Sequence, residues 1–323
     1  MLVRPGAAGG RRGCALGVKA AERRRSSALA SARREAEIVI AGGGPAGILC
    51  ATMLAKAGVA STVLEREVEP ELWSERSYTI VLQDAGQEAL AKAGAGDILE
   101  SGSRREYVHV MNGKTGEVQS IPNRTPGVGF TRPALMELLE GRALDQPLVT
   151  LRRGKGVRAV TNAAEGGHLW VHLDGDDGEG PLLATHVIAA DGKWSLVRRS
   201  MAEFAAAEMI SCPSWGILLA TGATDGDAWG TDGTHVIKPE GEGSFYIIGS
   251  PMGGTAEAGM SFTMVCNEGI TETYPWLAPV DASRGEAWED AFTGPGSGLT
   301  DRLEAMLREE VPALFVGGKV KRK

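Results

Sequence analysis

Cysteine is scarce and scattered. Cys14, Cys50, Cys212 and Cys266 are the only four in 323 residues, and none has the spacing of a zinc site or a disulfide framework. That leaves a reducing compartment as the expectation and gives no metal-ligating set. No apolar run reaches the ~18–20 residues of a membrane-spanning helix. Positive charge is not in excess: 34 Lys and Arg stand against 41 Asp and Glu, a net charge of −7. The global basic field that nucleic acids require is absent, so no nucleic-acid partner is expected. No internal repeat is visible, and the length allows one large or two medium domains with a sizeable core. Nothing in the sequence reports on the oligomeric state.

Glycine, by contrast, is abundant. There are 45, roughly twice the ~7% of average usage, so a chance glycine motif is a real risk and context must decide. The run Gly42-Gly43-Gly44-Pro45-Ala46-Gly47 reads G-x-G-x-x-G. Ile38-Val39-Ile40 before it reads as a buried strand, and the small and apolar residues after Pro45 read as a helix. In that context Gly42 permits the tight turn, Gly44 lets a pyrophosphate approach the backbone, and Gly47 lets the helix pack closely. The phosphate charge then meets the positive end of the helix. A second apolar run, Ser61–Leu64, ends in Glu65, where a ribose-binding carboxylate belongs. Strand, turn, helix and acid together predict a bound dinucleotide held by Gly42, Gly44, Pro45, Ala46, Gly47 and Glu65, with Arg66 alongside. Gly113-Lys114-Thr115 imitates the end of a P-loop, but Val108 occupies the place of the earlier glycine and no helix follows. It reads as a hairpin turn.

The first 34 residues differ from the rest. They carry Arg4, Arg11, Arg12, Arg23, Arg24, Arg25, Arg33 and Arg34 with one acid, Glu22, and no apolar core of secretory type. Arg-rich and acid-poor is the composition of an organellar transit peptide, mitochondrial or plastid. The alternatives are a disordered basic tail or a mispredicted start codon, with a cytoplasmic location otherwise. Residues 1–36 are left out of the expected fold.

From Glu37 the pattern reads β–α–β, with a helix near Asp84–Ala93, a hairpin over Tyr107–Ile121 and a helix from about Pro133 to Leu144. A strand at Leu148–Leu151 and hairpin pieces at Val157–Val160, His168–Leu173 and Leu182–Ala190 follow, with a turn at Asp174–Gly180. Beyond Met201 short strands at Trp215–Thr221, Thr234–Lys238, Ser244–Gly249 and Met260–Val265 predict a mostly antiparallel second domain. Helices are expected at Ser283–Phe292 and Leu299–Glu310.

Val187-Ile188-Ala189-Ala190 reads as a buried strand that delivers Asp191-Gly192-Lys193-Trp194-Ser195-Leu196-Val197-Arg198, a D-G-x-x-S-x-x-R pattern in which Ser195 can cap a helix. Asp191 sits where open α/β sheets bind ligands. With the glycine motif, Glu65 and this segment, the chain resembles the FAD-dependent aromatic hydroxylases, the group A flavoprotein monooxygenases. Arg132 in Thr131-Arg132-Pro133-Ala134-Leu135 matches the family's flavin-contacting arginine. A guanidinium at a helix N-terminus also has the wrong sign for the dipole and needs an anionic partner. Within the family, Arg76–Leu82 and the segment from Gly86 to Gly94 look like kynurenine 3-monooxygenase. At the positions of that enzyme's substrate-carboxylate arginine and tyrosine stand Glu106 and Asn123, which predicts a substrate without that carboxylate.

The resemblance implies an α/β fold: a Rossmann-like FAD-binding domain with a glutathione-reductase-like βαβ start and an interleaved antiparallel-sheet substrate domain. The expected division is 37–103 and 126–200 for FAD, 104–125 and 201–285 for the sheet domain, and a partial return to the FAD domain over 286–323. It implies FAD as cofactor, with Asp191 and Gly192 added to the cofactor-binding set, and NAD(P)H as reductant. O₂ and an aromatic small molecule are the co-substrates, with hydroxylation through a flavin hydroperoxide. No catalytic acid or base is singled out. Trp215, His235, Phe245 and Tyr246 are candidate pocket liners, with plain core as the alternative. The family's second FAD motif, a Gly-Asp segment, belongs shortly after Phe315 and is not found before Lys323, which predicts a truncated coding sequence or a weakened flavin site. An NAD(P)-dependent dehydrogenase and a non-catalytic flavin-binding chain are the alternatives.

Overall fold

Val39, Ile40 and Ala41 have no exposed surface, and around them the first sheet is built. The computed structural model describes residues 2–3, 35–69, 79–163, 167–174, 180–201, 214–222, 229–240, 243–252, 259–277 and 299–315. The chain divides into two compact units, one from Met1–Leu72, Ala89–Gly96 and Leu135–Met209, the other from Trp73–Glu88, Asp97–Ala134 and Ile210–Lys323.

The first unit holds a seven-stranded sheet. β1 is Leu2–Val3, β2 Glu35–Ala41 and β3 Ser61–Leu64. β7 is Val149–Arg152, β8 Val157–Asn162, β9 Leu169–Leu173 and β10 Leu182–Ala189. The order is β7-β3-β2-β10-β9-β8, with β1 beside β10. β7, β3, β2 and β10 run parallel, whereas β9 and β8 add antiparallel pairs. Parallel strands covered on both faces read as unbroken apolar runs, and β2 has that character. α1, Pro45–Lys56, connects β2 to β3 and buries Gly47, Ile48, Ala51, Thr52 and Ala55. Thr52 Oγ1 donates to the Ile48 carbonyl at 3.0 Å, which satisfies the one buried hydroxyl of that face. The helix ends where Gly58, with φ +79°, donates to the Ala55 carbonyl at 2.9 Å.

The second unit holds another seven-stranded sheet, in the order β11-β14-β13-β12-β5-β6-β4. Its strands are β4 Thr79–Leu82, β5 Ser103–Asn112, β6 Val118–Thr131, β11 Ser214–Gly222, β12 Gly233–Lys238, β13 Phe245–Pro251 and β14 Met260–Asn267. All pairs are antiparallel except β12 with β5. Along β12 and β13 buried residues alternate with partly exposed ones, the period of a sheet with one core face. That face carries Ile237, Ile247 and Met264, all unexposed, and packs with Met306, Leu307 and Val311. Of the helices joining these strands, α2 is Asp84–Ala93 and α3 Arg132–Leu144. α4 is Leu196–Ser200, α5 Ile270–Thr273 and α6 Leu299–Glu310.

Gly113-Lys114-Thr115 forms the β5–β6 turn. Asn112 Oδ1 accepts from the backbone N–H of Lys114 and Thr115 at 2.9 and 3.0 Å, so the turn is closed by its own asparagine and not shaped for phosphate. A Cβ on Gly113 would stand 2.4 Å from Val311 Cγ1, so glycine lets the chain after α6 lie against the hairpin.

The expected domain boundaries need correction. β4 pairs with β6 over Val128–Thr131, so residues 79–88 and 126–134 belong to the sheet unit, not to the FAD-binding one. An apolar run of four residues does not disclose which sheet it joins. α6 was expected to return to the FAD-binding domain, but its apolar side fills the core of the sheet unit. Residues 1–36 are not wholly outside the fold: Leu2 and Val3 pair with Ile188 and Val187, and Glu35 and Ala36 extend β2. Residues 4–34, Arg76–Tyr78, most of the Asp174–Gly180 turn and the expected helix at Ser283–Phe292 lie outside the described residues. Among the described residues no helix is long and apolar enough to cross a membrane. Leu307 is 5% exposed. Leu307→Ala is expected to lower unfolding free energy by about 2–5 kcal/mol in urea titration, whereas exposed Val68→Ala changes it by less than about 0.5 kcal/mol.

Candidate functional site

β2 ends at Ala41 and α1 starts at Pro45, so three glycines turn the chain. Gly42 has φ +100°, and a Cβ there would lie 2.5 Å from the Ala190 carbonyl oxygen at the end of β10. A Cβ on Gly47 would lie 2.0 Å from the Gly42 carbonyl oxygen. Both positions are closed to any side chain by backbone. Gly44 differs: its φ of −70° is ordinary, and a Cβ there would meet nothing within 4 Å. Its glycine answers no need of the fold, and the open space over it is where a ligand backbone can approach. Gly42 N–H donates to the Leu64 carbonyl at 2.8 Å, and Ala190 N–H to Ala41 at 2.8 Å. These bonds gather the ends of β2, β3 and β10 at one edge of the sheet. Pro45 opens α1 without an N–H to leave unpaired, and exposed Ala46 and buried Gly47 follow, their N–H groups lacking intrahelical acceptors.

Glu65 follows β3 and is tied to the turn. Its Oε2 accepts from Gly43 N–H at 2.7 Å and its Oε1 from Glu67 N–H at 3.0 Å. A Cβ on Gly43 would stand 2.8 Å from Glu65 Cβ. Gly43 is thus a site residue that the motif reading missed. A third glycine at a position where the pattern tolerates any residue was the available signal. Each carboxylate oxygen keeps a lone pair for a ribose hydroxyl. Arg66 does not join them: it is exposed and pairs with Asp174 at 3.4 Å, a surface contact of little energetic weight.

Asp191 follows β10. Its Oδ2 accepts from the N–H of Leu196 and Val197 at 2.8 and 3.2 Å, and Ser195 Oγ caps Arg198 N–H at 2.9 Å, so the whole D-G-x-x-S-x-x-R segment starts α4. Asp191 Oδ1 is buried and has no partner. An orphaned carboxylate oxygen is costly to bury. Beside the Gly42 turn it is an acceptor available to a ligand hydroxyl. Gly192, φ +79°, provides the reversal that this loop needs. The open cradle over Gly44, the oriented Glu65 and the spare Asp191 oxygen fit a dinucleotide cofactor. Burial raises the thiol pKa of Cys50, on α1, which disfavours its thiolate form.

The remaining predicted residues lie on the second unit's segments. Arg132, half-buried, opens α3, and Thr131 Oγ1 accepts from Ala134 N–H at 3.3 Å as the helix cap. His235 and Phe245 belong to the buried core, and Tyr246 faces outward, 39% exposed. The Trp215 side chain lies outside the described residues. His235 stacks on His109 with ring centroids 4.8 Å apart and meets Trp229 edge-on at 5.3 Å. His235 Nε2 donates to the Gly230 carbonyl at 3.0 Å. His109 reaches Ser120 Oγ at 2.8 Å and Asp232 Oδ1 at 3.2 Å. No group of three or more His, Cys, Asp or Glu that could hold a metal ion occurs among the described residues.

The family model for the FAD binding domain matches residues 35–292. The chain belongs to this FAD binding domain family. Two curated relatives are similar over part of their length. Digeranylgeranylglycerophospholipid reductase 2 of Methanopyrus kandleri is 28% identical over 275 residues, 78% of this chain and 65% of its own. The 12-dehydrotetracycline 5-monooxygenase/anhydrotetracycline 6-monooxygenase of Streptomyces rimosus is 32% identical over 168 residues, 50% of this chain and 32% of its own. The chain therefore spans just under two thirds of the first relative and a third of the second. Among solved structures, PqsL, a probable FAD-dependent monooxygenase from Pseudomonas aeruginosa, superposes with a TM-score of 0.56 at 17% identity, covering 85% of this chain and 71% of its own. The myxobacterial chondrochloren halogenase CndH superposes with a TM-score of 0.60 at 15% identity, covering 86% of this chain and 60% of its own. These likenesses establish the two-domain α/β fold, a Rossmann-like FAD-binding sheet with a separate second sheet.

Gly44→Ala is expected to leave the melting temperature of the apoprotein within about 1 °C of wild type while FAD affinity falls. Gly47→Ala lowers both, because its Cβ would overlap the backbone; differential scanning fluorimetry with a parallel FAD titration checks the pair. Burial depresses the His235 pKa, with His109 adding to the effect. The unfolded chain takes up a proton near pH ~6.5 that the folded one refuses, so stability falls as pH drops below that value. Urea titrations at pH 7.5 and 5.5 should show the loss, and His235→Phe should shrink it.

Proposed function

We propose that the chain serves in FAD-dependent monooxygenation of an aromatic small molecule, with NAD(P)H as reductant and O₂ as co-substrate. The observation that carries the reading is the cradle of the first unit. Gly44 is open where the fold does not need it to be, Glu65 is fixed by Gly43, and Asp191 has a carboxylate oxygen to spare. Membership of the FAD binding domain family and 32% identity over half of the chain to the dehydrotetracycline/anhydrotetracycline monooxygenase support the reaction class.

The residues have distinct tasks. The N-terminus of α1 offers the Ala46 and Gly47 N–H groups to a pyrophosphate, with the helix dipole in the favourable sense. Glu65 takes the ribose hydroxyls of the adenosine end, and Asp191 Oδ1 accepts from a further cofactor hydroxyl. The family resemblance gives Arg132 a flavin contact, which the variant below tests. Bound FAD would supply electron acceptance from the nicotinamide and activation of O₂, and the protein's part is to bind, orient and exclude water.

A second reading has its own support. The relative from Methanopyrus kandleri, by its name a digeranylgeranylglycerophospholipid reductase, matches 78% of this chain. A flavoprotein that reduces carbon–carbon double bonds would use the same cradle. The two readings part at oxygen. A monooxygenase consumes O₂ in step with NADPH when an aromatic ligand is present. A reductase reoxidises its reduced flavin anaerobically with an alkene.

The first measurement is an FAD titration of the full chain followed by flavin fluorescence. Stoichiometric quenching is expected, and its absence overturns the proposal. Arg132→Ala should weaken FAD binding roughly tenfold or more, the scale of one charge-assisted hydrogen bond, and should change apoprotein stability little. A fall in apoprotein stability with unchanged flavin affinity would make Arg132 a structural residue.

A further inference from the structure

Ser120, His109 and Asp232 form one hydrogen-bonded row in the sheet unit, and none of the three belongs to the flavin cradle. His109 on β5 is buried, 3% exposed. Its Nε2 stands 3.2 Å from Asp232 Oδ1, and its Nδ1 stands 2.8 Å from Ser120 Oγ on β6. A carboxylate only accepts, so the single proton of the neutral imidazole sits on Nε2. Nδ1 is left to accept from the Ser120 hydroxyl. The ring is held in place by stacking on His235 and Tyr107, with centroids 4.8 and 5.6 Å away. A Cβ on Gly233 would stand 2.5 Å from the Tyr107 carbonyl oxygen and 2.7 Å from His109 Nε2. Glycine there leaves the ring room beside Asp232. The Asp232 backbone is fixed too, because its carbonyl accepts from Glu106 N–H at 2.7 Å and from Tyr107 N–H at 3.2 Å.

Ser120 is the exposed end of the row. It lines a cavity of about 680 Å³ together with Met111, Val118, Lys238 and Pro239, a volume within the range of small-molecule pockets. Asn112 N–H donates to the Glu117 carbonyl at 2.9 Å, and the pairing runs on without a shift through Met111–Val118 and His109–Ser120 to Tyr107–Pro122. Antiparallel pairs alternate between bonded and non-bonded, so His109–Ser120 is a non-bonded pair. In such a pair the side chains approach most closely and the backbone N–H groups turn away from the partner strand. Pro122, which has no N–H to offer, falls in the same register as Ser120. On that outer side of β6, β4 pairs only with Val128–Thr131. Among the described residues no strand takes the Ser120 N–H.

We propose that Ser120 is an activated nucleophile, with His109 as its base and Asp232 as the group that positions His109, and that this set hydrolyses a small carboxylic ester bound in the cavity. Ser120 Oγ attacks the carbonyl carbon while its proton passes to His109 Nδ1. The Ser120 N–H is available to the oxygen that gains charge. The carbon–oxygen bond to the leaving alcohol breaks, and the alcohol departs with the proton from Nδ1. Water then attacks the acyl-Ser120 ester and gives a proton to Nδ1, and the serine oxygen takes that proton as its bond to the acyl carbon breaks. One ester and one water become one acid and one alcohol, with no change of oxidation state. The Asp232 carboxylate accepts from Nε2–H throughout and stabilises the imidazolium. The ring nitrogens exchange the places they hold in the chymotrypsin-type triad, where the serine faces Nε2. Either nitrogen serves, because only one of them carries the proton in neutral imidazole.

The test exposes the full chain, with and without FAD, to a fluorophosphonate and locates the adduct by peptide mass mapping. Hydrolysis of 4-methylumbelliferyl acetate is followed in parallel. One adduct on Ser120 and saturable hydrolysis are expected, with or without FAD. Ser120→Ala should keep a cooperative melting transition, lose the adduct, and lose about 100-fold or more of kcat/KM, the scale of general-base assistance. Asp232→Asn should lower kcat by about tenfold or more with KM unchanged, because the ring loses the acceptor that sets its tautomer. No adduct in the wild type, an adduct only on another residue, or hydrolysis undiminished in Ser120→Ala would each overturn the proposal. A change confined to KM in Asp232→Asn would overturn it as well. If Ser120→Ala does not fold, the wild-type adduct and the Asp232→Asn kinetics still decide. Failure to bind FAD would remove the monooxygenase reading, and the reactions of the apoprotein would still judge Ser120.

Discussion

The first unit depends on a backbone contact that tolerates no side chain. At Gly47 a single added carbon would come within 2.0 Å of the Gly42 carbonyl, and at Gly42 within 2.5 Å of Ala190. Because those atoms are that close, β2 can pass directly into α1. The β2 and β10 ends then lie side by side, with Asp191 one residue beyond the contact. Had the turn been wider, the first free N–H groups of α1 would stand away from the sheet edge. The cradle over Gly44 and the hold of Gly43 on Glu65 both follow from this packing.

Polar groups are used differently in the two units. In the first, two buried side-chain oxygens have no partner among the described residues, Ser61 Oγ at the start of β3 and Asp191 Oδ1 beside the Gly42 turn. In the second, polar side chains lie within the sheet itself. His109 and His235 stack between Tyr107 and Trp229 and find acceptors in Asp232 and Gly230. Arg105, on the same strand as Tyr107 and His109, is buried with hydrogen bonds to Ser103 Oγ and the Pro251 carbonyl, and its Nε has no partner among the described residues. Burying such a group costs stability.

The local elements were legible because each is written in a short window. The period of the residues after Pro45 marks α1, and α2 and α6 fall on the residues that their apolar spacing predicts, Asp84–Ala93 and Leu299–Glu310. The alternation in Leu169–Leu173 marks a half-buried strand, and Asn112 with Gly113 marks the hairpin. The cradle was legible for the same reason: Gly42, Gly44, Gly47 and Glu65 serve one turn and its neighbouring strand. Arg66 could not be placed in the same way, because adjacency to Glu65 says nothing about which way an exposed side chain turns.

What the sequence determined by itself was therefore the set of elements and the identity of the dinucleotide turn, both fixed by steric rules acting over a few residues. Only the tertiary structure decided which sheet β4 and α6 join, since an apolar face specifies that it must be covered but not by what. It also decided that Gly43 supports Glu65, and that the side of β5 carrying Arg105, His109 and Met111 is the buried one while Glu106 takes the other. Which side of a strand is covered depends on pairing between segments far apart in the chain.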